Sequence, residues 1–192
     1  MRIAIIGGGA AGFAAAVAAA EKGAQVTVLE RGKKPLKKLG VAGNGRGNIL
    51  NAGTPVYYGD TEFALRVLRR TGYPELTRFF AYLGVPLREE SAGWIYPASF
   101  AASAVQDALL LRARQLNVEV RCLVRVEGIA QDRNGFLLRG RQGSPEGGKP
   151  PAEEEFTLHA DRVIVACGGA AAPAHGTDGT AYGMLTALGH RC

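Results

Sequence analysis

Ile3-Ala4-Ile5-Ile6-Gly7-Gly8-Gly9-Ala10-Ala11-Gly12 decides the fold. Four apolar residues make a short buried strand, Gly7, Gly9 and Gly12 fall at G-x-G-x-x-G spacing, and the alanine-rich run 13–21 reads as a helix. Glycines at those places permit a tight turn, a close approach of a diphosphate to the backbone, and a helix packed tightly on a sheet. The exposed amides and positive dipole end of that helix face the phosphates. Gly- and Ala-rich sequence throws up such spacings by chance, so the context carries the reading. Gly23 stops the helix, and Gln25-Val26-Thr27-Val28-Leu29 alternates like a second strand. That strand ends on Glu30, one helix and one strand past the glycines. A carboxylate there can accept hydrogen bonds from both hydroxyls of a ribose.

The opening has a rival reading. Met1-Arg2 precedes an uncharged run, 3–20, which resembles a signal peptide or a spanning helix. Three consecutive glycines occupy the place where such a segment is most hydrophobic, and Gly and Ala outnumber Leu, so the stretch is a poor membrane span. The chain is expected to be cytoplasmic, with no membrane partner.

A length of 192 residues suffices for one sizeable α/β domain, and 47% hydrophobic with 21% charged residues is ordinary for a globular protein. Cys122, Cys167 and Cys192 are odd in number and far apart, which suits neither a disulfide framework nor a metal site, and agrees with a reducing compartment. Cys122 is expected in a strand as a small buried apolar residue. The net charge of +6 is partly local, because Arg31, Lys33, Lys34, Lys37, Lys38 and Arg46 crowd into the segment just after Glu30. The run lacks interleaved aromatics and matches no nucleic-acid module, so nucleic acid is not the expected partner. Arg46 and Lys38 are read as lining the phosphate side of a bound dinucleotide, Lys33 and Lys34 as solvated.

Further along, Gly40-Val41-Ala42-Gly43-Asn44-Gly45-Arg46-Gly47-Asn48 is read as a ligand-cradling loop rather than a linker. Helices are expected at Thr61–Arg70 and 74–83, with Gly84 as a stop. Trp94 and Tyr96 pack in a core or beside a ring system. Ser99 or Ser103 caps a helix running to Gln115. From Val118 the period becomes alternating: strands at 118–122, 124–131, 136–139 and 156–159, with Asn134-Gly135 as a hairpin signal, form a β-meander excursion over about 118–160. An exposed loop covers 143–155. The strand 162–167 then stops at Gly168-Gly169, where backbone amides meet the same ligand from the other side or small residues simply turn a sheet edge. Thr180 opens a last helix, Gly189 ends it, and His190-Arg191-Cys192 reads as another strand beginning, so the chain reads as a fragment.

Gly7-Gly8-Gly9-Ala10-Ala11-Gly12, the loop from Lys37-Lys38-Leu39 to Gly45-Arg46-Gly47-Asn48, Gly84-Val85-Pro86-Leu87, Ile95-Tyr96-Pro97 and Leu188-Gly189-His190 occur in that order. Together they resemble the HI0933-like FAD-dependent oxidoreductases, a family that includes 3-dehydro-bile-acid Δ4,6-reductases and aminoacetone oxidases. The resemblance implies an α/β, Rossmann-like FAD-binding domain over 1–192, with a central parallel sheet, helices and an antiparallel meander. It also implies that a substrate domain and a final flavin-binding segment are absent. It places the FAD pyrophosphate at Gly7, Gly8, Gly9, Ala10, Ala11 and Gly12, and the adenosine ribose at Glu30. The loop from Lys38 through Gly43, Gly45, Arg46 and Asn48 runs along the flavin side. Val126 lies near the adenine, and Gly168-Gly169 closes over the middle. Arg31 and Cys167, flanking these positions, complete the expected cofactor-binding set. Two departures stand out: Gly47 occupies a place usually held by cysteine, and Ala171-Ala172-Pro173 with His175-Gly176 replaces Ser-Tyr-Pro and Thr-Gly.

The expected activity is flavin-mediated hydride transfer on a small-molecule substrate, with NAD(P)H as an electron donor, and with no catalytic residue assigned. His175 is the best-placed titratable group, and Cys167 lacks a partner thiol at short spacing. Two alternatives stay open. One is an NADP-binding module in which Arg31 and Lys33 receive a 2′-phosphate, against which Glu30 argues by repulsion. The other is a non-catalytic or split flavoprotein that pairs with the missing C-terminal portion or a second chain.

Overall fold

In the computed structural model the opening stretch forms strand β1 (Arg2–Ile6), helix α1 (Ala10–Glu21) and strand β2 (Gln25–Leu29), pairing β1 parallel to β2 from Arg2 opposite Gln25 to Ile6 opposite Leu29. The description covers residues 1–54, 56–143, 153–171 and 173–191, without the side chain of His175. Most of the expected loop 143–155, and Ala172 and Cys192, therefore lie outside the described residues. Two compact units divide the chain, Met1–Lys38 with Leu110–Cys192, and Leu39–Leu109.

The first unit is built on a parallel sheet. Its strand order is β10 (Arg162–Val165), β1, β2, β6 (Glu119–Arg121). Alternation of side chains about the pleat splits the sheet's residues between two faces. Ile3, Ile5, Val26 and Val28 share one face, and α1 packs on these strands through Phe13, Ala16 and Val17, all fully enclosed. Ala4, Ile6 and Leu29 share the other face. They belong to a second core with Val124, Val126, Ile129, Leu138, Phe156 and Ala160. Those six residues come from an antiparallel meander, β7 (Val124–Asp132), β8 (Gly135–Gln142) and β9 (Glu154–Ala160). Ala181 and Met184 of the last helix, Thr180–Ala187, close that core.

The second unit holds a three-stranded antiparallel sheet, β3 (Leu50–Asn51), β5 (Trp94–Pro97) and β4 (Leu87–Glu89), paired in that spatial order. Helices Thr61–Arg70 and Tyr73–Tyr82 lie between β3 and β4 in the chain. Asp60 caps the first by accepting from the Phe63 amide at 2.8 Å, and Gly84, at φ +73, follows the second. The next helix, Ala102–Gln115, has residues in both units, and the four-residue helix Lys37–Gly40 likewise straddles the division.

Several sequence expectations shift. The run 118–122 does not begin the meander: Glu119–Arg121 pairs parallel with β2, so the antiparallel excursion starts at Val124. Cys122 is not in a strand but half-buried between β6 and β7. The helix after Phe100 starts at Ala102, which leaves Ser99 ahead of it and Ser103 inside its first turn. Trp94 is 45% exposed, so it is not a core residue of its unit. Among the described residues, no helix is long and apolar enough to cross a membrane.

Candidate functional site: the carboxyl edge of the parallel sheet

In open parallel sheets, ligands bind beyond the carboxyl ends of the strands, where the chain order switches direction. In this sheet the chain passes from β1 to β2 on one side, while β10 flanks β1 on the other, so the switch lies between β1 and β10. The loops emerging there are 7–9 after β1 and 166–169 after β10, with 30–32 after the adjoining β2.

Each glycine of the first loop has its own reason. Gly7 holds φ +108 and donates to Leu29 O at 2.8 Å, and a Cβ on it would stand 2.6 Å from Ala166 O. A Cβ on Gly12 would stand 2.0 Å from Gly7 O, so only glycine lets α1 sit this close to the turn. Gly9 differs: a Cβ there would meet nothing within 4 Å. Gly9 is also the N-cap of α1, without a side-chain cap bond. Ala10, Ala11 and Gly12 form the first turn, whose amides have no acceptor within a helix. Open space at Gly9 beside uncapped amides fits a diphosphate.

Glu30 is oriented before any ligand arrives. Its Oε2 accepts from the Gly8 amide at 2.8 Å and its Oε1 from the Gly32 amide at 2.6 Å. Leu36, at φ +60, donates from its amide to Gly8 O at 2.7 Å, which brings the segment after β2 back onto the glycine loop. An ionised carboxylate offers about four lone-pair directions, so two remain for ribose hydroxyls.

Arg31 goes elsewhere. Its Nη1 donates to Asp178 Oδ2 at 2.7 Å and Thr180 Oγ1 at 3.3 Å, and its Nη2 to Gly176 O at 2.7 Å. The Arg31 bond holds the Asp178 carboxyl far below the usual carboxylate range, and Asp178 in turn raises the Arg31 pKa. Gly179 donates to Gly169 O at 3.1 Å. Contacts thus run in a closed circuit around the sheet edge: Gly7 to Ala166, the chain to Gly169, Gly169 to Gly179, Asp178 to Arg31, and Glu30 back to Gly8.

The remaining candidates are placed as follows. Gly168, at φ +75, and Gly169 are covered by Thr177 and Tyr182, since Cβ atoms there would lie 2.6 Å from Thr177 Cγ2 and 2.8 Å from Tyr182 Oη. The Cys167 thiol donates to Ile6 O at 3.3 Å, and burial pushes its pKa up. Val126 is a core residue of the meander, 8% exposed, with a β-bulge between it and Gly128. Lys38 is exposed.

Gly43, Gly45, Arg46 and Asn48 belong to the second unit. There the loop turns through positive φ at Gly43, Asn44, Gly45 and Gly47, and Gly45 O accepts from the Ala102 amide at 2.8 Å. The Arg46 guanidinium stacks 4.6 Å from the Tyr96 and Phe100 ring centres. Gly47 is buried at φ +75, and a Cβ there would stand 3.0 Å from Ala102 Cα, a seat that favours the glycine found. Among the described residues, no His/Cys/Asp/Glu cluster could hold a metal ion.

Sequence reading missed Gly32, Asp178, Thr180 and Tyr182. The Asp178-Gly179-Thr180 run ahead of an apolar helix was the available signal for a side chain bonding its own backbone, since Asp178 Oδ1 accepts from the Thr180 amide at 3.2 Å.

A parallel β-α-β unit with this glycine loop and acid defines a dinucleotide-binding Rossmann-like domain. The family model described as the HI0933-like protein Rossmann domain matches residues 1–192, and the chain belongs to that family. A 3-dehydro-bile acid Δ(4,6)-reductase of Clostridium scindens is 40% identical over 98% of this chain and 44% of its own length. A ribosomal RNA dihydrouridine synthase of Escherichia coli is 26% identical over 96% of this chain and 44% of its own length. The chain thus spans less than half the length of the curated relatives it matches. Among solved structures, the 3-ketosteroid-Δ4-(5α)-dehydrogenase of Rhodococcus jostii superposes with a TM-score of 0.67 at 19% identity, over 87% of this chain and 45% of that one, a likeness of fold.

Proposed function

We propose that this chain is the FAD-holding part of an oxidoreductase that transfers hydride to or from a small-molecule substrate. The observation that carries the reading is the Gly8–Glu30 bond, which fixes the ribose-accepting acid beside the open mouth at Gly9. Gly9 and the first turn of α1 would hold the pyrophosphate, Glu30 the adenosine ribose, and Val126 the neighbourhood of the adenine. A bound flavin supplies two-electron chemistry that side chains lack, while the protein binds, orients and excludes water.

The relative at 40% identity is named for a reductase of a small-molecule acid, and the one at 26% for an RNA-modifying enzyme. The higher identity supports a small molecule and the reductive direction, and a reduced nicotinamide is the electron donor proposed for it. Titration of the chain with FAD and with NADP, followed by fluorescence, tests the assignment. FAD is expected to bind more tightly, and Glu30→Ala to weaken it at least about tenfold, or about 1.4 kcal/mol. Equal affinity for the two ligands, or indifference to Glu30, refutes it.

A further inference from the structure

The residue after the acid at the end of β2 commonly decides whether such a site takes a 2′-phosphate, because a cation there can neutralise it. Arg31 stands in that place, and three of its N–H groups are engaged by Asp178, Thr180 and Gly176, which aims the guanidinium at the Asp178 carboxylate. Asp178 is itself fixed, its Oδ1 accepting from both the amide and the hydroxyl of Thr180. Thr180 opens the last helix, whose Ala181 and Met184 are buried in the second core of the same unit, so the carboxylate is anchored to a packed element. The Asp178 carboxylate offsets the Arg31 charge where a 2′-phosphate would stand, and Glu30 adds a second carboxylate beside it. Repulsion by the two carboxylates and the prior engagement of Arg31 by Asp178 both act against that group, but a ribose with two free hydroxyls meets only the oriented Glu30 carboxylate.

We propose that Asp178 is a specificity-determining residue: by engaging Arg31 it restricts the site to adenine nucleotides with a free 2′-hydroxyl and turns away 2′-phosphorylated ones. This rests on the reading that the 7–12 loop and Glu30 hold a dinucleotide, and it adds to the ribose subsite a residue from the far end of the chain.

Calorimetric titration with ADP and with 2′-phospho-ADP at fixed ionic strength, beside a titration with FAD, tests it. The wild-type chain is expected to favour ADP at least tenfold. Asp178→Asn, which keeps size and removes charge, should narrow that ratio about tenfold by tightening 2′-phospho-ADP. The double variant Asp178→Asn/Arg31→Gln should restore it. Arg31→Gln alone leaves Asp178 uncompensated and should weaken 2′-phospho-ADP more than ADP, and Asp178→Ser gives the same reading as Asp178→Asn should the latter fail to fold. Lys33 and Lys34 stay in every variant, so the comparison reads Arg31 alone. An unchanged ratio in folded Asp178→Asn or Asp178→Ser, equal weakening of both ligands, or tighter 2′-phospho-ADP binding in Arg31→Gln overturns the proposal and leaves the dinucleotide reading standing. A folded wild-type chain that binds neither ADP nor FAD overturns the dinucleotide reading itself.

Discussion

Gly9→Ala and Gly12→Ala add the same methyl at either end of one helical turn and should fail in opposite ways. At Gly12 the new carbon would lie 2.0 Å from the Gly7 carbonyl oxygen, a backbone atom that cannot swing aside. Relief needs a shift of about an ångström between α1 and the turn, and such overpacking costs about 1–3 kcal/mol or somewhat more. Alanine's better helix propensity returns at most about 1 kcal/mol, and less in the first turn. The net loss of about 2 kcal/mol corresponds to a Tm drop of about 4–8 °C in a chain of this size. At Gly9 the backbone is ordinary extended chain, φ −85 and ψ −175, and nothing lies within 4 Å of the added carbon. Alanine is a poorer N-cap than glycine by up to about 1 kcal/mol. A less flexible unfolded chain offsets that by about 0.4–1 kcal/mol. Tm should therefore stay within about 2 °C of wild type. The methyl does stand where the diphosphate must approach, so FAD affinity should fall at least about tenfold. Differential scanning calorimetry and an FAD titration on both variants separate the outcomes. If the two lose equal stability, or if Gly9→Ala binds FAD as tightly as wild type, the assignment of separate jobs to these glycines is wrong.

The meander and the thiol at the sheet edge give two further tests. Gly140→Ala should destabilise the chain by about 1–3 kcal/mol in urea unfolding without altering FAD selectivity, because its Cβ would stand 1.9 Å from Arg125 O inside the β7–β8 ladder; a neutral Gly140→Ala would show that this ladder yields easily. The raised pKa of Cys167 means that its protonated form is complete at neutral pH, and that the stability linked to it is fully present below the ordinary thiol value and is lost as pH climbs from there through the folded value. At pH 8 it should therefore alkylate with iodoacetamide at least about tenfold more slowly in the folded chain than in urea. Equal rates would place the thiol in solvent.

The opening unit was legible because its signals are local. Strand, turn, helix and second strand follow one another without interruption between Arg2 and Leu29, and Gly7 and Gly12 have steric duties that no other residue can take over. Gln25–Leu29 emerges with the bounds the alternation gives, and Thr61–Arg70 does as well. The run at 118–122 was harder. Its brief alternation fits either a meander or a parallel sheet, and only pairing with Thr27–Leu29 of β2 settles which. Gly168-Gly169 likewise left two meanings open, and the packing of Thr177 and Tyr182 on these glycines comes from the loop end and the last helix, to which sequence reading gave no part in the site. Arg31 shows the limit most clearly: its place beside Glu30 suggested a ligand, whereas its partner Asp178 lies near the other end of the chain.

The glycine loop and the acid at the end of β2 are usually counted as two features, one for phosphate and one for ribose. Here they are one mechanical part. The Gly8 amide holds Glu30 Oε2, and a Cβ on Gly8 would press at 2.9 Å on Glu30 Cβ. The turn and the acid therefore support each other, because the Gly8 amide that the turn presents is one of the two that aim the carboxylate. Pre-orientation of this kind lowers the ordering cost of binding, because the carboxylate has no rotamers left to lose. It also explains why the spacing itself is informative. Helix α1 and the return through β2 set the distance between Gly8 and Glu30 across two adjacent strands, so a chain that kept the glycines but shifted the acid by one residue would place it on the opposite face of β2.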